Sequence, residues 1–210
     1  MLNRKILAAL GTALAFTCLV APVQAKSKHC AKRGYHVTFE HADSVFMERN
    51  LHRRGWDDGP YATYACSRKY GRRVFLPRVG TADGGESWIG APRANARFAA
   101  FMTGVGDTGG TERVYSYDLK RGELLYSEPV AVSHDDYSAS LSALALSDRG
   151  WIGWITIDRW EEPHFNSVHL KDNGDTRVLA EGGTIDPYFL RFDGGSELTW
   201  STATASAPAQ

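Results

Sequence analysis

Two short stretches carry the residue types that do chemistry. Ser133-His134-Asp135-Asp136-Tyr137 sets an imidazole beside two carboxylates, a combination that can hold a divalent cation or activate a water molecule. Asp158-Arg159-Trp160-Glu161-Glu162-Pro163-His164 adds an indole flanked by acids. The indole can stack on a sugar ring while the acids accept its hydroxyls, and paired acids are the machinery of glycoside hydrolysis. Each stretch also has a plainer account. An exposed turn whose Asp side chains bond their own backbone explains the first, and a hairpin tip whose Trp folds back on its sheet explains the second. No second His with ligand spacing stands beside His134, although His164 can approach it across the top of the strands. We take His134, Asp135, Asp136, Trp160, Glu161 and His164 as candidate ligand-binding residues and assign none of them a catalytic or metal-binding role.

Other signatures of chemistry are missing from the chain. There is no Gly-x-Ser-x-Gly elbow, His-Glu-x-x-His, Cys-x-x-Cys, phosphate-cradling Gly-x-x-x-x-Gly-Lys or complete calcium loop, so no cofactor is expected. His36 and His41, like His164 and His169, stand an odd number of residues apart, which on a continuous strand puts them on opposite faces. Trp151 and Trp154 are separated in the same way, and large aromatics at such positions read as packing between sheets.

The elements that must position the candidate residues read as strands. Apolar residues alternate or form short runs, broken by 21 glycines and 8 prolines, and no helical period is sustained. Strands are expected at 37–39, 44–47, 62–66 and 73–76. A second set falls at 86–91, 97–103, 112–119 and 123–127, and a third at 141–146, 151–157, 166–170 and 176–180. Two more fall at 188–192 and 197–200, for about 14 in all. The turn glycines Gly71, Gly122 and Gly174 stand 51 and 52 residues apart, near the 40–50-residue period of blade-like repeats. Asp172-Asn173-Gly174-Asp175 reads as a tight hairpin in which both central residues take positive φ. Trp154 and Trp200 fall at matching places after their turns.

In this chain Leu144-Ala145-Leu146-Ser147, Gly150, Ile152 and Trp154-Ile155 are followed by Val178-Leu179-Ala180, Gly182, Ile185-Asp186-Pro187 and finally Leu198-Thr199-Trp200. This pattern resembles the blades of secreted, TolB-like β-propeller repeats. It is most similar to a group of uncharacterised exported bacterial proteins. The resemblance runs from Leu144 to Trp200, about a third of the mature chain, and its motifs concern the fold. It implies an all-β, β-propeller-like array of four-stranded blades, and it transfers no catalytic residue. Three full sets plus two strands fall short of the four to eight complete blades that usually close a propeller. The array is therefore expected to stay open unless N-terminal strands complete the last blade, and an open edge invites pairing.

Residues 1–25 read as an export signal, with Arg4-Lys5 ahead of an apolar stretch too short to span a bilayer and Ala25 at the cleavage site. Residues 26–200 are then a single domain, and 201–210 a small, polar tail. Removing the leader leaves 22 basic against 24 acidic residues, a net charge of −2. With the signs interspersed, neither a nucleic-acid face nor a polybasic membrane anchor is expected. Cys30 and Cys66 remain, and in an oxidising compartment they are expected to form a disulfide.

The sequence is thus read as an exported protein, placed outside the cell or in its envelope. Its role is a non-catalytic binding or interaction module for a protein or carbohydrate ligand. Two alternatives stand beside it: a hydrolase of an extracellular polymer such as a glycan, using His134, Asp135, Asp136 and Glu161, and a structural module that self-assembles through its open edge.

Overall fold

The computed structural model describes residues 30, 33–51, 61–76, 87–105, 112–130, 140–158 and 165–202. The expected leader therefore lies outside the described residues. The described part is all-β, with fourteen strands in chain order: β1 (His36–His41), β2 (Ser44–Asn50), β3 (Tyr61–Ser67), β4 (Arg73–Leu76), β5 (Ser87–Ala94), β6 (Phe98–Val105), β7 (Arg113–Asp118), β8 (Glu123–Pro129), β9 (Ser140–Leu146), β10 (Ile152–Asp158), β11 (Phe165–Lys171), β12 (Arg177–Gly182), β13 (Ile185–Asp193) and β14 (Glu197–Thr202). β14 runs two residues into the stretch read as tail. The strands form three four-stranded antiparallel sheets, β1–β4, β5–β8 and β9–β12, each ordered as in the chain, and a two-stranded sheet, β13–β14.

Alternation along the strands assigns each face to a neighbour. In β6, Ala99 and Phe101 pack toward the first sheet, in one cluster with Phe46, Ala65, Val74 and Leu76, while Ala100 and Met102 pack toward the third. In β10, Ile152 and Trp154 face the second sheet, and Ile155 faces the terminal hairpin with Leu198. The sheets are thus stacked in chain order, and the two middle ones bury both faces. Trp154 is only 1 % exposed, so the core role expected for it holds. Trp151 lies just before β10, half-buried under the Arg149 guanidinium 4.9 Å away. A Cβ on Gly153 would sit 2.6 Å from the Leu198 methyls, so the missing side chain there lets the terminal hairpin approach β10 closely.

The apolar stack is pinned by polar side chains. Each third strand of a four-stranded sheet donates from one buried side chain to a backbone carbonyl of the next sheet: Ser67 Oγ to Ala96 O (2.6 Å), Ser116 Oγ to Gly150 O (2.8 Å) and Asn166 Nδ2 to Ile185 O (2.8 Å). Such bonds fix the rotation of one sheet on another, which non-directional apolar contact does not. The face of the first sheet turned away from the second carries the Cys30–Cys66 disulfide, packed with Val45 and Met47. That bond fits an oxidising compartment.

The turns recur in the first two sheets and change in the third. Gly71 N–H donates to Ser67 O (2.8 Å) and Gly122 N–H to Asp118 O (2.6 Å), and both glycines have positive φ, 65° and 72°. The expected tight hairpin at Asn173-Gly174 is corrected. Neither residue has a positive φ, and five residues separate β11 from β12. Asp172 explains the difference: its Oδ1 accepts from Gly174 N–H at 2.8 Å and its Oδ2 from Arg177 at 2.5 Å. This Asx arrangement competes with the mirror-image turn for the same backbone.

Candidate functional site

His134, Asp135 and Asp136 belong to the 131–139 connection, and Trp160, Glu161 and His164 to 159–164. Both lie outside the described residues, but the strands that launch them are described. The first connection joins the end of β8 to the start of β9, and the second joins β10 to β11. Ile157 pairs with Ser140, and Asp158 with Phe165. The two candidate loops therefore leave from neighbouring strand ends, on the side of the stack opposite the short turns.

The base of these loops is held by hydrogen bonds. Glu112 Oε2 accepts from Leu141 N–H (3.0 Å), and Glu112 O accepts from buried Val130 N–H (2.8 Å). Ser140 Oγ and Asn166 Oδ1 are buried there with no hydrogen-bond partner among the described residues. A hydroxyl oxygen and an amide oxygen without a partner can each take part in a hydrogen bond with a group brought to this place. No group of three His, Cys, Asp or Glu residues able to hold a metal occurs among the described residues.

Among the described residues one imidazole is half-buried, on the face of the third sheet turned toward the second. His169 on β11 lies opposite Trp154 and stacks on its indole, with centroids 5.1 Å apart and planes 6° apart. Its Nε2 lies 3.3 Å from Thr156 Oγ1. Burial pushes the His169 pKa below its ordinary value, partly offset by the Glu181 carboxylate. Nearby, Lys171 pairs with Glu128 of β8 at 3.1 Å, Thr176 bonds the same carboxylate at 2.9 Å, and Tyr126 bonds Asn173 at 3.2 Å. The imidazole is thus held by β10 within its own sheet, and its stacked and bonded position is structural.

The densest charge sits at the short turns of the first two sheets. Tyr70 follows β3, and its ring has Lys69 Nζ at 5.7 Å and Lys120 Nζ, from the turn after β7, at 5.9 Å. Arg72 reaches across to Lys120 O at 3.4 Å. Underneath lies Asp118, whose side chain is 2 % exposed. Its Oδ2 accepts from Arg97 Nε (3.0 Å) and Nη2 (2.8 Å), and its Oδ1 from the N–H groups of Lys120 (2.8 Å) and Arg121 (3.0 Å). Burial pushes the Asp118 carboxyl up, but these donors outweigh it and hold the pKa below the ordinary carboxylate value. The same hydrogen bond to Asp118 raises Arg97, and the nearby Tyr70 adds to the effect.

This cluster was not among the residues singled out from the sequence. Its signal was present: Lys69 and Lys120 each precede a turn glycine by two residues, at the same 51-residue spacing as the glycines. The chain matches no family model, no curated protein and no solved structure.

Proposed function

We propose that this chain is an exported, non-catalytic binding or interaction module built as an open, propeller-like array of sheets related to TolB-like repeats. The end of the array is the observation that carries the reading. Three sheets have four strands and the last has two, which leaves the outer edge of β14 without a strand partner among the described residues. On β13, the other strand of the same hairpin, Tyr188 is 78 % exposed and Phe189 39 %, with the Arg191 guanidinium over the Phe189 ring at 5.3 Å. A two-stranded hairpin with an unpaired edge and exposed aromatics is a template for strand addition. The disulfide supports the exported location.

A photo-crosslinking amino acid at position 188 in the living host tests this reading. An adduct with one defined component is the expected result, and an adduct with a second copy would favour the self-assembling form of the module. Absence of any adduct, with the protein folded and at native level, would reject an interaction through this end.

A further inference from the structure

We propose that the turns after β3 and β7 form a binding site for an acidic polysaccharide, with Lys69, Arg72, Lys120 and Arg121 meeting its carboxylate or sulfate groups. All four side chains belong to exposed residues, and none is ion-paired among the described residues. The other cations beside them are already matched, Arg68 by Glu40 and Arg97 by Asp118. Against the four stand two carboxylates without an ion pair on the adjoining turns, Asp43 and Glu123. A chain with equal numbers of acids and bases has concentrated unpaired positive charge on one pair of turns.

The turns are built to hold these cations in place. The bonds from Gly71 to Ser67 and from Gly122 to Asp118 give the two turns the same backbone, and the side chains of Ser67 and Asp118 cap them from within by accepting from Tyr70 N–H (3.3 Å) and from Lys120 and Arg121 N–H. Lys69 and Lys120 thereby occupy equivalent positions on successive sheets and share one aromatic ring. A Cβ on Gly122 would lie 2.5 Å from the Arg72 guanidinium, so this glycine lets the second turn come close to the first turn's cation. Holding like charges together is unfavourable until an anion arrives, and the gain on binding is then ionic and sensitive to salt.

The arrangement selects a polymer, and a sugar polymer in particular. Cations from two adjoining turns meet around one ring, and a chain with charge on successive units can engage them together where one small anion engages only some of them. The Tyr70 ring is engaged by two ammonium groups, which leaves it a poor platform for stacking a nucleobase. The Cys30–Cys66 disulfide fits an oxidising compartment outside the cytosol, which favours a glycan over a nucleic acid.

The test uses the whole mature chain with polygalacturonate and heparin oligosaccharides as carboxylated and sulfated probes. Neutral dextran, a single-stranded oligonucleotide and phosphatidylglycerol vesicles serve as competitors, all followed by titration calorimetry. The expected result is binding to at least one acidic glycan that weakens steeply between about 0.02 and 0.2 M salt, with none to dextran. Lys69→Ala with Lys120→Ala should weaken it about tenfold, as two exposed ion contacts warrant. The charge-reversed pair, Lys69→Glu with Lys120→Glu, should abolish it. Arg177→Ala, at the turn of the third sheet, should leave it unchanged. No glycan binding at low salt, binding indifferent to the Lys69 and Lys120 changes, or tighter binding to the oligonucleotide or vesicles would each overturn the assignment. The site is separate from the terminal hairpin, so its loss leaves the crosslink at position 188 unaffected and the two failures are distinguishable.

Discussion

Asp118 is the residue on which the second sheet's turn depends, and replacing it gives a prediction with a calculable size. Its buried carboxylate accepts two bonds from Arg97 and one each from the N–H groups of Lys120 and Arg121. The Arg97 side chain is 43 % exposed and can rehydrate, so the ion pair itself is worth about 1 kcal/mol at most. The two amides lose a charged acceptor, at about 1 kcal/mol each. Asp118→Ala should therefore cost about 3 kcal/mol, and Asp118→Asn, which keeps Oδ1 as an acceptor for the two amides but gives up both bonds from Arg97, about half that. For a domain of this size 3 kcal/mol lowers Tm by about 6–12 °C. Urea unfolding at neutral pH, with the m-value checked for constancy, measures both.

The pH dependence adds a second readout for the same residue. The folded pKa of Asp118 is depressed, so the unfolded chain takes up this proton at higher pH than the folded one. The stabilisation is fully present above the ordinary value of 3.8 and is lost as pH falls through that value toward the lower folded one. The Asp118→Ala curve should be flatter there than the wild-type curve. An Ala variant within about 0.5 kcal/mol of wild type, or an Asn variant as damaged as the Ala variant, would refute this account of the turn.

Two further outcomes follow from the same structure. Reducing the Cys30–Cys66 disulfide, or replacing both residues by Ala, releases a loop with a sequence separation of 36 and should cost about 4 kcal/mol in urea unfolding; a loss below about 1 kcal/mol would show that the bond does not restrain the unfolded chain. His169 has a folded pKa below its ordinary 6.5, so it contributes stability that is present above 6.5 and lost as pH falls through that value. Stability measured from pH 7 to pH 5 should decline in the wild type and decline less in His169→Phe, which keeps the stack on Trp154 without a titrating group; parallel curves would remove His169 as the source.

Much of the local structure was legible in the residues. All fourteen strands fall where alternation and turn residues place them, because a strand's pattern is written within the strand itself. The all-β class and the pairing of Cys30 with Cys66 were readable in the chain, one from period and punctuation, the other from the two cysteines that lie outside the expected leader. The turn at Asp172 was misread because Asn-Gly is a strong local signal, and a side-chain acceptor one residue earlier outbid it. The candidate residues His134, Asp135, Asp136, Trp160, Glu161 and His164 could be placed only as far as the strands that launch them.

Which residues meet across the sheets was decided by tertiary structure alone. Nothing local marks Ser67, Ser116 and Asn166 as the side chains that reach the next sheet, since each bonds a carbonyl 19 to 34 residues away. Lys69 and Lys120 repeat in the sequence, but only the stacking of the first two sheets brings both onto Tyr70. The chain by itself determined the strands, most of their turns and the disulfide, because those depend on near neighbours or on the two cysteines outside the expected leader. The order in which the sheets stack, the convergence of cations and the exposed last hairpin arise from packing between faces, where burial of a whole sheet outweighs the preference of any one residue.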